Sequence, residues 1–325
     1  MELNNMFVLE KKKFGKYNHW IVKDTQSGSW MSFVPDLGGM VTELVLSAKE
    51  ESLSCIHGND TYEEFEAAKM LYRSGKLSPW AGRIDKGKYM WNGKSYDLEK
   101  NDPTGTHAIH GLLAFKSFEV RETILEDGEA KVTLFYEYNR EQTGYPFHFC
   151  LTVEYHLTPS EFICTTFIKN LGEENIPMSD GWHFYFKIGE GIDHLQLKMP
   201  GVEEVKLNER LIPSGEFSAY DEFSNFKVLG TKFLDNCFIV KQNGRVVTSL
   251  QHPTLNKQLN IWQDSGEGIY RYLVIYTPPD RKSIAIEPMI AAPNAFANGM
   301  GLYSLKPGEE ITLRNGVEMS ELVSS

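Results

Sequence analysis

Long apolar runs are missing from this chain. No stretch of its 325 residues approaches the length of a membrane span, so a helix-spanning membrane protein is not expected. Cysteine is scarce: Cys55, Cys150, Cys164 and Cys237 are scattered without CxxC spacing. They read as reduced core residues of a cytoplasmic protein, not as a disulfide staple or metal site. Positive charge is in deficit, with 33 Lys and Arg against 44 Asp and Glu and a net charge of −11. Lys11-Lys12-Lys13 is the one basic run, which argues against nucleic acid or an anionic membrane as partner. Met1-Glu2-Leu3-Asn4-Asn5 lacks the basic-then-apolar pattern of a signal peptide. With no Pro/Gly/Ser-rich linker and no internal repeat, residues 1–325 are expected to form one domain, as a monomer or homodimer.

What the chain has in abundance is strand pattern. Alternating apolar and polar residues mark 149–157, 131–138 and 162–168 as half-buried strands. Asn92-Gly93, Asp127-Gly128, Asn243-Gly244 and Asn315-Gly316 are candidate hairpin turns. One helix is expected, capped by Asp60 with Glu63 three residues on and fading near Arg73-Ser74-Gly75. Many short strands and almost no helix predict an all-β antiparallel sandwich.

The run Ser283-Ile284-Ala285-Ile286-Glu287-Pro288-Met289-Ile290-Ala291-Ala292-Pro293 holds a single charged side chain, Glu287. Desolvation penalises a carboxylate in such company and raises its pKa, which suits proton exchange near neutrality; a structural Glu satisfied by an Arg or backbone amides is the plainer alternative. Period-2 alternation sets Glu287 with the small Ser283 and Ala285, opposite Ile284 and Ile286, leaving room for a ligand. In Asp180-Gly181-Trp182-His183-Phe184-Tyr185-Phe186-Lys187, Trp182, Phe184 and Phe186 share a core face. His183, Tyr185 and Lys187 share the other, where His183 is a proton-donor candidate or a structural histidine. Arg83, between Gly82 and Ile84, could fork onto sugar hydroxyls or pair with Asp85 or Glu287. His107 and His110 have the i, i+3 spacing of zinc ligands, but no HExxH or cysteine pair completes a site, so no metal or other cofactor is expected.

Gly82-Arg83-Ile84, His110-Gly111, Gly144-Tyr145-Pro146, His183-Phe184-Tyr185-Phe186, Asp235 and Glu287-Pro288, in that order, resemble the landmarks of the aldose 1-epimerase (galactose mutarotase) family. The correspondence runs from Leu37-Gly38-Gly39 to Leu305-Lys306-Pro307-Gly308-Glu309. The resemblance implies a β-supersandwich with an open cleft for a small-molecule aldose. It also implies Glu287 as general base, His183 as general acid, and Arg83, His110 and Asp235 as groups that hydrogen-bond the sugar. Leu112, Lys187-Ile188 and Met289 depart from the well-studied galactose mutarotases, which leaves the preferred sugar open. Trp80 or Trp262 is expected as the aromatic platform. For a hexose-6-phosphate branch, Arg73 and Arg281 are the available cations. A non-catalytic sugar binder on the same scaffold and a glycosidase using Asp235 with Glu287 are the rival readings. Whether burial or Arg83 sets the pKa of Glu287 is left to the tertiary structure.

Overall fold

The computed structural model describes residues 6–49 and 51–322; the reading of Met1–Asn5 as lacking a signal pattern lies outside them. Strands dominate, and all their mutual pairings are antiparallel among the described residues. Phe7–Phe14, Tyr17–Asp24, Trp30–Val34, Met40–Ala48 and Glu51–Ser54 form a five-stranded meander. A nine-stranded sheet begins with Glu119–Glu126, Glu129–Asn139, His148–Leu157 and Glu161–Asn170. The C-terminal strand Glu310–Glu321 inserts next, between Glu161–Asn170 and Lys257–Ser265, and so joins early and late parts of the chain. An eight-stranded sheet carries Val202–Leu207, Asp235–Val240, Tyr272–Tyr276, Ile284–Met289 and Gly181–Trp182 side by side. This is the expected antiparallel β-supersandwich, with helix confined to short pieces. No helix among the described residues is long and apolar enough to cross a membrane.

The eight-stranded sheet sorts its residues strictly by parity. Ile284, Ile286, Leu273, Ile275, Phe238, Val240, Trp182, Phe184 and Phe186 turn into the main core, with Trp182 and Phe184 stacked at 5.3 Å. Burying each of these side chains stabilises the fold by roughly 1.5–3 kcal/mol. Cys237, Val274 and Met289 face the other way, toward a cavity.

Several local expectations shift. The helix is Tyr62–Ala68, and Thr61 is its cap: the Thr61 hydroxyl accepts from Glu64 N–H at 3.1 Å, while Glu64 accepts from Asp60 N–H at 3.0 Å. The cap thus sits one residue later than predicted, because threonine in extended backbone reaches the free amide that Asp60 does not, and Glu64 closes back onto Asp60 N–H. Asn92-Gly93 and Asp127-Gly128 do turn hairpins. Asn243-Gly244 instead carries the chain from the eight-stranded to the nine-stranded sheet. Asn315-Gly316 lies inside Glu310–Glu321, where glycine is needed for close approach: a Cβ on Gly316 would fall 2.6 Å from both the Phe162 carbonyl oxygen and the Trp262 ring. Cys55, Cys164 and Cys237 are buried free thiols, but Cys150 is only half-buried.

Candidate active site

Strand register builds the site. Val205, Cys237, Val274 and Glu287 are successive partners across four strands and form one row on the cavity face. Two residues along, Asp235, Tyr276, Ala285 and Tyr185 form the next row. Alanine between two tyrosines leaves room for their rings to meet edge-on at 6.5 Å. His183 enters from the short interruption between Gly181–Trp182 and Tyr185–Phe186. Its backbone N–H donates to Gly75 O at 3.1 Å and its carbonyl accepts from Ser74 N–H at 2.9 Å, and its ring stacks on Tyr185 at 4.9 Å and 8°. The Tyr185 hydroxyl donates to Leu71 O at 3.1 Å, which fixes that stack from the far side.

Arg83 and His110 arrive on a two-stranded ribbon in which Ile109 pairs with Arg83. His110 sits at φ +59° and Gly111 at φ +72°. A Cβ on Gly111 would fall 2.3 Å from Ser78 O, so this chain reversal admits only glycine there. Its effect is to press the His110 ring edge-on against His183 at 5.1 Å. A non-glycine residue held at positive φ is the kind of strain that functional sites retain.

Arg83, His110, His183, Asp235 and Glu287, all five residues singled out in the sequence, line one cavity of about 310 Å³. The His183 Nε2 lies 3.5 Å from Glu287 Oε1, with the two residues 6% and 3% exposed. Burial raises the pKa of Glu287 well above the usual carboxylate range, and the Asp235 charge adds to the rise. Burial likewise lowers His183 to about 3. Burial thus pushes both groups toward their uncharged forms. Arg83 acts elsewhere: its charge opposes the burial that raises Asp235 and reinforces the burial that lowers His110. Burial, not Arg83, sets Glu287.

No hydrogen bond or ion pair engages the Arg83 guanidinium among the described residues. Asp85, one of the two alternative ion-pair partners for Arg83, bonds Arg210 at 2.9 Å and lies 3.3 Å from His107 Nδ1. His107 and His110 thus diverge, one toward Asp85 and one into the cavity. His183 Nδ1 and His110 Nδ1 are buried without a partner among the described residues. Such atoms cost roughly 1–3 kcal/mol each unless something satisfies them.

Trp80 and Trp262 do not line the cavity. Trp80 is buried against Tyr145 and Phe296, and Trp262 donates to Glu161 on the nine-stranded sheet. The aromatic walls are Tyr185 and Tyr276. Alternation in Tyr272-Leu273-Val274-Ile275-Tyr276 carried the signal for Tyr276, once that strand is known to neighbour Glu287. Cys237, read as a core residue, also lines the wall. Arg73 is engaged by Glu64 at 2.7 Å and Gly58 O at 3.0 Å. Arg281 is held by Asp193, Lys232 O and Gly230 O. Neither faces the cavity, which leaves a sugar phosphate without the cations it was expected to use.

The architecture is an antiparallel β-supersandwich with one face opening on a cavity that holds a carboxyl and an imidazole 3.5 Å apart. The sequence profile of the aldose 1-epimerase family matches residues 23–317, and the chain belongs to that family. It is 27% identical over 241 residues to the uncharacterised protein YihR of Escherichia coli K12, covering 72% of this chain and 74% of that one. A galactose mutarotase-like protein from Clostridium acetobutylicum superposes with a TM-score of 0.85 at 21% identity, over 98% of this chain and all of the other. Galactose 1-epimerase from Lactobacillus acidophilus superposes with a TM-score of 0.78 at 17% identity, over 97% and 98% of the two chains. At those identities the structural likeness speaks for the fold alone.

Proposed function

We propose that the protein is an aldose 1-epimerase that interconverts the α and β anomers of a neutral sugar, with Glu287 as general base and His183 as general acid. The observation that carries this reading is the 3.5 Å approach of Glu287 and His183 in the cavity; the reading assigns the pair one proton between them, resting on Glu287. Moving that proton from the carboxylic acid to the imidazole creates a carboxylate whose raised pKa makes it a strong base, and an imidazolium whose lowered pKa makes it a strong acid. Glu287 then takes the proton of the C1 hydroxyl while His183 protonates the ring oxygen. The C1–O5 bond breaks, its electron pair stays on the oxygen, and C1 becomes an aldehyde. Rotation about C1–C2 and the reverse transfers close the ring on the opposite face. The couple ends with the proton count it began with.

Arg83, His110 and Asp235 supply the hydrogen bonds that hold the pyranose, and the unpartnered Nδ1 atoms of His110 and His183 match hydroxyl groups. Among the described residues Arg83 is the one Lys or Arg lining the cavity, and Asp235 lies within its field, so a neutral aldose fits better than a hexose 6-phosphate. Polarimetry of freshly dissolved α-glucose and α-galactose, with NMR anomerisation assays across pentoses and hexose phosphates, tests the reading. Acceleration over buffer for a neutral aldose supports it. Binding without acceleration for every sugar would instead support a non-catalytic carbohydrate binder.

A further inference from the structure

An aromatic chain leads from His183 to the protein surface. His183 stacks on Tyr185 at 4.9 Å; Tyr185 meets Tyr276 at 6.5 Å and 83°; Tyr276 meets Phe233 at 6.3 Å and 89°. Exposure grows along the series: Tyr185 is buried, Tyr276 half-buried, and Phe233 61% exposed. No other large hydrophobic among the described residues is as exposed. A lone exposed phenylalanine would need no explanation, but this one stands in ring contact with a wall of the candidate active site.

Phe233 is also displayed rigidly. On one side of it, Arg281 donates to Lys232 O at 3.0 Å. On the other, Leu234 is buried, its N–H donating to the Thr277 hydroxyl at 2.8 Å while its carbonyl accepts from Thr277 N–H at 2.9 Å. Phe233 precedes the strand Asp235–Val240, and its ring contact with Tyr276 places it on the side of the sheet that bears the cavity. The row of Cys237, Val274 and Glu287 is one level of the sheet and the row of Asp235 and Tyr276 the next, and Phe233 lies just before that strand, against Tyr276. Phe233 does not line the cavity itself and stands beyond its Tyr276 wall, outside the space a single pyranose in the candidate site would fill. A pyranose presents a flat patch of C–H groups, and a fixed aromatic face is the surface on which such a patch packs.

We propose that Phe233 is the platform of an outer subsite that stacks a second or later ring of a reducing oligosaccharide, so that the protein accepts oligosaccharides by their reducing ends. The inference rests on the epimerase reading for the position of the reducing ring. It assigns to Phe233 no part in proton transfer.

The test compares wild type, Phe233→Ser and Phe233→Trp on glucose, cellobiose and maltotriose, and on galactose and β-1,4-galactobiose, by NMR anomerisation. Phe233→Ser should lower kcat/KM for the oligosaccharides by at least roughly 5-fold, leave the monosaccharides unchanged, and melt with the wild type; Phe233→Trp should retain the oligosaccharide rate. Saturation-transfer NMR on the same sugars supplies an arm independent of turnover: transfer into protons of the outer rings should be present in wild type and lost in Phe233→Ser. If no sugar is anomerised but this transfer is seen and lost as stated, the epimerase reading fails while the subsite stands. Equal loss on monosaccharides and oligosaccharides, or no transfer into the outer ring of any of the three oligosaccharides, overturns the subsite.

Discussion

Two buried acid–base couples occupy opposite faces of one small patch of sheet, where Trp182 pairs with Lys76. On the core face, Lys76 and Asp180 form an ion pair with both side chains fully buried. The Tyr270 hydroxyl donates to Asp180 at 3.2 Å, and the Lys76 ammonium lies 4.6 Å over the Trp182 ring. Burial lowers Lys76 and raises Asp180, but each partner's charge pulls the other back. On the cavity face, Glu287 has no such help: burial raises it and Asp235 raises it further. Equal burial therefore has two outcomes. Where opposite charges meet with hydrogen bonds around them, the pair holds the strands beneath His183 together. Where the charge acting on the acid is of like sign, it adds to burial and pushes the carboxyl further toward its protonated form.

Removing the cavity couple should have the largest effect. Glu287→Gln copies the shape of the protonated acid but cannot pass a proton, so kcat should fall by roughly 10²–10⁴-fold with the melting temperature unchanged. His183→Asn should behave similarly. Near-normal turnover of Glu287→Gln by polarimetry would remove the proposed base.

Breaking the core couple should act on stability first. Lys76→Met leaves Asp180 as an uncompensated buried acid and should destabilise by about 3–5 kcal/mol in denaturant titration. Lys76→Met combined with Asp180→Leu should recover much of that loss, and an unaltered stability in the single variant would contradict the contrast drawn between the faces.

Arg83→Met should raise KM by roughly 10–100-fold through loss of charged hydrogen bonds to the sugar, with a smaller change in kcat. A purely structural Arg83 would shift the melting temperature instead.

The smallest effects are in pH dependence. His183 is at about 3 in the folded protein against an ordinary 6.5. The unfolded chain therefore binds the extra proton between those values, and stability is lost as pH falls from 6.5 toward 3. Relative to His183→Asn, the wild type should lose up to about 1.4 kcal/mol per pH unit across that window. Glu287, with its pKa raised, contributes in the opposite sense, stabilising most below its ordinary 4.5 and losing that contribution as pH rises through its folded pKa. Because Asp235 adds to the rise, Asp235→Asn should move the alkaline limb of kcat to lower pH. An unmoved limb would show that Asp235 does not act on the couple.

The local signals read from the chain differ in how well they survive folding. Glu287 and His183 were legible because alternation is a property of a single strand, and an isolated acid in an apolar run is conspicuous wherever the strand goes. Tyr276 and Cys237 were missed because their role comes from register with Glu287 across neighbouring strands, not from their own segments. Asn315-Gly316 reads as a hairpin by composition, yet Trp262 and Phe162 approach Gly316 too closely for any side chain, so the same dipeptide serves packing. Asn243-Gly244 turns the chain, but its flanking strands go to different sheets. Trp80 and Trp262 offered aromatic surface, and the core took both.

Sequence by itself determined the all-antiparallel architecture, the face on which each strand residue falls, and the order of landmarks that marks the family. Those properties depend on neighbours one to four residues away and on steric preferences each residue carries with it. Only the tertiary structure decided that Arg83 shares one cavity with Asp235 and His110, that Asp85 answers to Arg210, and that Glu287 lies buried 3.5 Å from His183 with its pKa raised. Electrostatic energy depends on through-space distance and on excluded water, and both are set by residues far apart in the chain.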